Sequence, residues 1–107
     1  MELKQYSIVL INIDPTIGSE IKKTRPCVIV SPNEINKFLR TIVVVPMTTN
    51  LKKYPTRIEV KHNGKKGVIA IDQIRTIDKS QIIKKFDRLS KSEIQKCKDI
   101  IRETFVD

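Results

Sequence analysis

Short runs of apolar and β-branched residues recur along most of this chain, and each is bounded by Pro, Gly, Asn or Ser. The runs read SIVLINI, CVIVS, TIVVVP, TRIEV, VIAIDQI and QIIKKFDRL. Segments of this length and composition are typical of β-strands. Since the chain has only 107 residues, it has room for one core. The pattern predicts a single mainly β domain over 1–107, folded as a small barrel or a strongly bent sheet.

Two local patterns refine this prediction. The runs VVV and VIAI are apolar on successive residues, which favours strands that are covered on both faces. Between TRIEV and GVIAI lies HNGKKG, whose Asn63 and Gly64 tolerate the positive φ angles of a tight turn. We therefore predict a β-hairpin at this position.

The C-terminal segment SKSEIQKCKDIIRETF has a helical period instead. Ser90 stands three residues before Glu93, the spacing of a capping box at a helix N-terminus. Ile94, Cys97, Ile101 and Phe105 share one face at helical spacing. The segment is predicted to form an amphipathic helix that caps the barrel and packs this face against the core.

Charge indicates the kind of partner. The chain carries 21 Lys and Arg against 12 Asp and Glu, a formal net charge of +9. Such an excess favours nucleic acid or an acidic protein as partner, although it also serves simple solubility. No apolar run approaches the length of a membrane span, and the N-terminal MELKQYS lacks a signal-peptide core.

The two cysteines, Cys27 and Cys97, lack the spacing of a metal site. Two buried, reduced thiols in a cytoplasmic protein are expected, and a disulfide between them stays open.

Several classes of enzyme are disfavoured by what the sequence lacks. His62 is the only histidine, so a nuclease that uses a histidine pair would need two chains to share a site. The acidic residues are scattered and flanked by cations, which disfavours a two-metal nuclease. Neither a phosphate-binding GxxxxGK nor a GxSxG nucleophile motif occurs. No metal and no cofactor are expected.

A polar segment, DPTIGSEIKKTRP, separates the first two apolar runs. Arg25 stands directly before Pro26, and the residue before a proline is restricted to extended backbone. The Arg25 side chain is therefore expected to leave the barrel at a fixed angle, and arginine binds phosphate bidentately without losing its charge. A solvated basic loop is the alternative. It explains Lys22 and Lys23 well, but it explains the Pro, Gly and Ser residues around them poorly.

Four motifs in this order, DPTIGSEIKKTRPCVIVSP, VVVPMTT, YPTRIEV and IAIDQIRTIDKSQI, resemble the MazF/PemK family of toxin endoribonucleases from type II toxin–antitoxin modules. The resemblance runs from about Tyr6 into the C-terminal helix. It implies an SH3-like barrel with short helices, a homodimer, and metal-independent cleavage of single-stranded RNA at short sequence motifs. It also implies an acidic antitoxin (MazE-like) whose disordered tail covers the RNA site.

The resemblance assigns roles to particular residues. The two catalytic positions of the family match Arg25 in KTRP and Thr48 in PMTT. The positions that line or support the family's RNA groove match Ser19, Glu20, Asp72, Gln73 and Arg75, and we add Lys23 to the predicted basic groove.

Cleavage is expected to use the 2′-hydroxyl of the RNA as nucleophile and to leave 2′,3′-cyclic phosphate and 5′-hydroxyl ends. Two other classes remain open: a CcdB-like toxin that binds gyrase, and a non-catalytic SH3-like module that binds RNA.

Overall fold

The computed structural model describes residues 2–13, 23–49, 54–62 and 64–106. Seven strands and two α-helices occur in them. The strands are β1 (Ser7–Asn12), β2 (Thr24–Ile29), β3 (Thr41–Thr48), β4 (Arg57–His62), β5 (Lys65–Ala70), β6 (Arg75–Asp78) and β7 (Ile82–Arg88). The helices are α1 (Asn33–Phe38) and α2 (Lys91–Ile101), and a π-helical turn, Arg102–Val106, follows α2. Short 3-10 turns, Ile71–Gln73 and Lys79–Gln81, flank β6.

The strands form one antiparallel sheet in the order β4-β5-β3-β2-β1-β7, with β6 also paired to β3. Along one edge, β3 pairs with β6 through Thr41 to Val44 and then with β5 through Met47 and Thr48. Because one strand changes neighbours along its length, the sheet bends sharply around β3. The prediction of a mainly β, barrel-like fold with short helices is confirmed, although the described strands do not close into a ring.

Apolar residues lie on both faces of the central strands, as the runs of successive apolar residues predicted. In β1, Ile8 belongs to one buried cluster while Val9 and Ile11 belong to the other. In the same way Val28 of β2 faces away from its neighbours Cys27 and Ile29. The sheet therefore has two cores, and α2 covers the one that contains Val28.

The hairpin and the helical cap agree with the sequence patterns. β4 and β5 pair from Arg57 opposite Ala70 to His62 opposite Lys65, and Gly64 has a φ of +75°. Ser90 accepts a hydrogen bond from the Glu93 amide, and the Glu93 carboxylate accepts one from the Ser90 amide. The capping box predicted at the start of α2 is thus confirmed.

One part of the predicted helix face does not reach the core. Cys97 is buried, and Ile94 and Ile101 pack against the cluster around it. Phe105, which was expected on the same face, is about half exposed, because α2 passes into the π-helical turn after Ile101 and the helical period changes there.

Candidate active site

The register of β2 and β3 aligns the two predicted catalytic residues. The ladder pairs Ile29 with Val44, Val28 with Val45 and Cys27 with Pro46. Continuing this register by two residues on each strand places Arg25 opposite Thr48. The two side chains therefore leave the sheet from neighbouring positions on adjacent strands, although they are separated by 22 residues of sequence that include α1.

Arg25 and Thr48 line the same surface groove, which we call the catalytic groove. Its volume is about 340 Å³, and it is lined by Thr24, Arg25, Pro26, Met47, Thr48, Thr49, Lys66 and Gly67. Arg25 is exposed and Thr48 is half-buried, so a cation and a hydroxyl border one space that is open to solvent.

A second, smaller cavity adjoins the catalytic groove at Arg25, and we call it the Arg75 pocket. It measures about 150 Å³ and is lined by Ile11, Ile13, Arg25, Cys27, Pro46, Gln73 and Arg75. Arg25 thus lines both cavities. The Arg75 pocket combines an apolar floor with two cations and one amide at its walls.

Only some of the other site residues predicted from sequence line one of the two cavities. Gln73 and Arg75 lie in the Arg75 pocket. Lys23 is exposed next to the start of β2, and it lines neither cavity. Asp72 forms hydrogen bonds with Thr56 and Arg57 and lines neither cavity. Ser19 and Glu20 lie outside the described residues.

Lys66 and Gly67 were missed by sequence reasoning. They sit on β5, and the pairing of Thr48 with Val68 brings them to the rim of the catalytic groove. In the sequence they stand in GKKGVIAI, where the only visible signal was that of a hairpin. Lys66 adds a cation that can meet a phosphate, and Gly67 leaves the groove open because it has no side chain.

Cys27 lines the Arg75 pocket, but its thiol is unreactive near neutral pH. Burial raises the pKa of Cys27 to about 12, although Arg25 and Arg75 act in the opposite direction. The thiol therefore stays protonated near neutral pH and does not provide a nucleophile. Both cysteines are free and buried, as expected.

No cluster of three or more His, Cys, Asp or Glu residues that could hold a metal ion occurs in the described ranges. In the same part of the chain, no helix is long and apolar enough to cross a membrane. The chemically useful groups around the two cavities are cations, hydroxyls and an amide.

A family model described as "PemK-like, MazF-like toxin of type II toxin-antitoxin system" matches residues 4–105. The chain belongs to this family. Two relatives named Endoribonuclease MazF support the assignment. The one from Staphylococcus saprophyticus is 30% identical over 105 residues, covering 92% of this chain and 88% of the relative. The one from Staphylococcus epidermidis is 33% identical over 98 residues, covering 86% and 82%.

Solved structures show the same fold. A MazE-MazF crystal structure from Deinococcus radiodurans matches with a TM-score of 0.82 at 21% identity, over 96% of this chain and 95% of that chain. An endoribonuclease in complex with its cognate antitoxin, from a mycobacterial species, matches with a TM-score of 0.80 at 18% identity, over 94% and 91%. Membership of the toxin family thus agrees with the barrel-like architecture.

Proposed function

We propose that this toxin-family chain is an endoribonuclease that cleaves single-stranded RNA without a metal ion. The family match and the relatives named as endoribonucleases support the reaction class. The observation that carries the mechanism is the shared groove of Arg25 and Thr48, with an open rim at Gly67 and a second cation at Lys66.

The chemistry follows from what these groups can do. RNA carries its own nucleophile, the 2′-hydroxyl, so the enzyme must hold it in line with phosphorus and stabilise the charge that develops on the phosphoryl oxygens. Arg25 supplies a permanent cation with a planar pair of donors. Thr48 supplies a hydroxyl that can hydrogen-bond a phosphate oxygen. Arg25 is unsuited to act as a base, because a guanidinium keeps its proton in proteins.

The direct test is to incubate the purified protein with a random single-stranded RNA pool in excess EDTA and map the ends. Cleavage is expected to persist and to leave 2′,3′-cyclic phosphate and 5′-hydroxyl ends. Loss of cleavage in EDTA with recovery on adding magnesium would overturn the mechanism. The same mapping reports the sequence motif that is cut. If the protein bound RNA or gyrase without any cleavage, one of the non-catalytic alternatives would replace this proposal.

We infer that the chain works as a homodimer. An apolar groove of about 440 Å³ lies between α1, β3 and α2, with walls formed by Ile35, Leu39, Val43, Ile74 and Ile101 among others. Phe38 beside it is 83% exposed. Burying such a surface against a second copy would remove apolar area from water. Light scattering should give twice the mass of the chain for the wild type, and Leu39→Glu should shift it toward the monomer.

An acidic antitoxin is the proposed inhibitor. Both structural neighbours described above are complexes, one with a cognate antitoxin and one with MazE. The net charge of +9 and the open cations Arg25, Lys66 and Arg75 suit a flexible acidic peptide as well as RNA. We propose messenger RNA as the single-stranded substrate, and we therefore place the activity in the cytoplasm.

A further inference from the structure

Asp72 is held by side chains at the start of β4 and directly before it. Its Oδ1 accepts hydrogen bonds from Thr56 Oγ1 at 2.8 Å and from Arg57 Nε at 2.9 Å, and its Oδ2 accepts one from Arg57 Nη2 at 3.2 Å. The Arg57 guanidinium lies 5.3 Å from the centre of the Tyr54 ring. The contact between Arg57 and Asp72 is the only ion pair found among the described residues. We call these four residues the Asp72 clamp.

The clamp contacts a short turn that has only one internal backbone hydrogen bond. Ile71–Gln73 is one 3-10 turn between β5 and β6, closed by a single backbone bond from the Ile74 amide to the Ile71 carbonyl at 3.2 Å. Turns of this kind have poor hydrogen-bond geometry and depend on outside contacts. The Ile71 amide donates to the Thr56 carbonyl at 3.1 Å. Together with the side-chain bonds to Asp72, this contact fixes the turn against the start of β4.

The Asp72 carboxylate and the Arg57 guanidinium neutralise each other within the clamp. The Arg57 side chain is only 13% exposed, against 40% for Asp72, because the aromatic ring and the carboxylate flank the guanidinium. Desolvation raises the pKa of Asp72, but the hydrogen bonds from Thr56 and Arg57 outweigh it and hold the pKa below the ordinary value. The carboxylate is therefore ionised and neutralised by Arg57, so it does not present an uncompensated negative charge beside a groove for phosphates.

The residue that follows Asp72 is the one that reaches the site. Gln73 lies in the wall of the Arg75 pocket, next to Arg25 and Arg75. Its amide carries both a donor and an acceptor, the pair of groups that reads a nucleobase edge. Gln73 is carried by the 3-10 turn, which is anchored by the buried Ile71 and by the clamp bonds to Asp72, the residue directly before Gln73.

We propose that the Asp72 clamp positions Gln73 and so sets which base is accepted beside the scissile phosphate. Asp72 and Arg57 are positioning residues and do not contact RNA. The inference rests on the proposed RNA cleavage and names residues that determine its specificity.

The experiment compares Asp72→Asn, Arg57→Gln, their double variant and Gln73→Ala, with Asp87→Asn on the exposed face of β7 as the matched control. Each protein cuts the random RNA pool, and base frequencies are counted at every position around the cut. Both single clamp variants and Gln73→Ala should change the base preference by about tenfold, at the same single position of the RNA. A tenfold change corresponds to about 1.4 kcal/mol, the contribution of one hydrogen bond to a base edge. The double variant should change it no further, and Asp87→Asn should match the wild type.

Two results would overturn the inference. One is an unchanged preference in folded clamp variants. The other is a change in Asp72→Asn that is absent from Arg57→Gln, because this would mean that the carboxylate touches RNA itself.

A measurement without RNA separates this inference from the proposed function. The ¹⁵N–¹H NMR signals of the Gln73 side-chain amide, identified by their loss in Gln73→Ala, should shift in both clamp variants and stay in place in Asp87→Asn. If the wild type failed to cleave RNA, the proposed function would fall while these shifts still tested the clamp. If cleavage occurred and the Gln73 signals did not move, the clamp alone would be wrong.

Discussion

Arg25 of β2 lies directly opposite Ile11 of β1 in the antiparallel ladder. Ile11 is 1% exposed, whereas Arg25 is exposed, so the ladder fixes the Arg25 backbone over a solid core while its guanidinium reaches the solvent. Both residues line the Arg75 pocket. A cation mounted on a paired strand is held more precisely than one on a loop, which suits a group that must meet a phosphoryl oxygen at a defined angle.

Substitution of the predicted catalytic pair should reduce the rate and leave the fold intact. Arg25→Lys keeps the charge but loses the planar fork, and Thr48→Ala removes one hydroxyl. Each should lower kcat by about 10²–10³, the typical effect of losing one transition-state donor. Single-turnover cleavage assays check the rates, and circular dichroism checks the fold. A folded variant that cleaved within a few-fold of the wild type would lose its catalytic assignment.

The absence of a side chain at Gly67 should matter for access to the groove. A Cβ at this position would meet the Thr48 carbonyl oxygen at 3.7 Å and Met47 Cε at 3.8 Å, which are ordinary contact distances. Gly67→Ala should therefore fold and cleave nearly as well as the wild type. Gly67→Ile places a larger group beside Thr48 and should reduce cleavage by about 10²-fold through misplacement of the RNA. Equal cleavage by both variants would show that the RNA does not pass this rim.

Binding should depend strongly on salt. If about five phosphates are contacted, the affinity for single-stranded RNA should fall with a log–log slope of about −3.5, or about a hundredfold between 50 and 200 mM salt. Fluorescence anisotropy on the Thr48→Ala variant measures this without cleavage. Lys66→Gln should make the slope shallower by about 0.7, the share of one phosphate contact. A flat response would mean that the basic surface serves another purpose.

The buried thiols should make the protein less stable in alkali. Burial raises the pKa of both Cys27 and Cys97 to about 12 from the ordinary 9.0. Above pH 9.0 the unfolded chain loses these protons while the folded chain retains them, so the free energy of unfolding should fall as pH rises toward 12. Urea unfolding at several pH values, compared with Cys27→Ala and Cys97→Ala, isolates the effect. An identical pH slope in the wild type and both variants would contradict it.

The acidic antitoxin should compete with RNA for the same groove. Expression of the chain alone should arrest growth, and co-expression of the small acidic protein encoded beside it should restore growth. In vitro, the antitoxin tail should displace a labelled RNA from the Thr48→Ala variant. Simultaneous binding of both ligands would show that inhibition does not act by occupying the groove.

The strand runs, the hairpin and the capping box were readable from the sequence because each depends on neighbouring residues. Periodicity of two or of 3.6 and the local chemistry of a turn or a cap require no knowledge of distant contacts. The short strand β6 and helix α1 were not resolved by periodicity. β6 has only four residues, Arg75–Asp78, and depends on pairing with β3, while α1 has no side-chain cap at its N-terminus.

The motifs by themselves determined the family and named Arg25, Thr48, Gln73 and Arg75, whose placement along two adjoining cavities the fold then supplied. Only the tertiary structure decided that Lys66 and Gly67 border the groove, because β5 reaches β3 through a non-local pairing. It also decided that Asp72 is bound to Arg57, 15 residues earlier in the chain. Sequence gives the chemistry that a residue can offer, but its partners are set by strand register across the folded sheet, where a shift of one residue would turn each side chain to the opposite face.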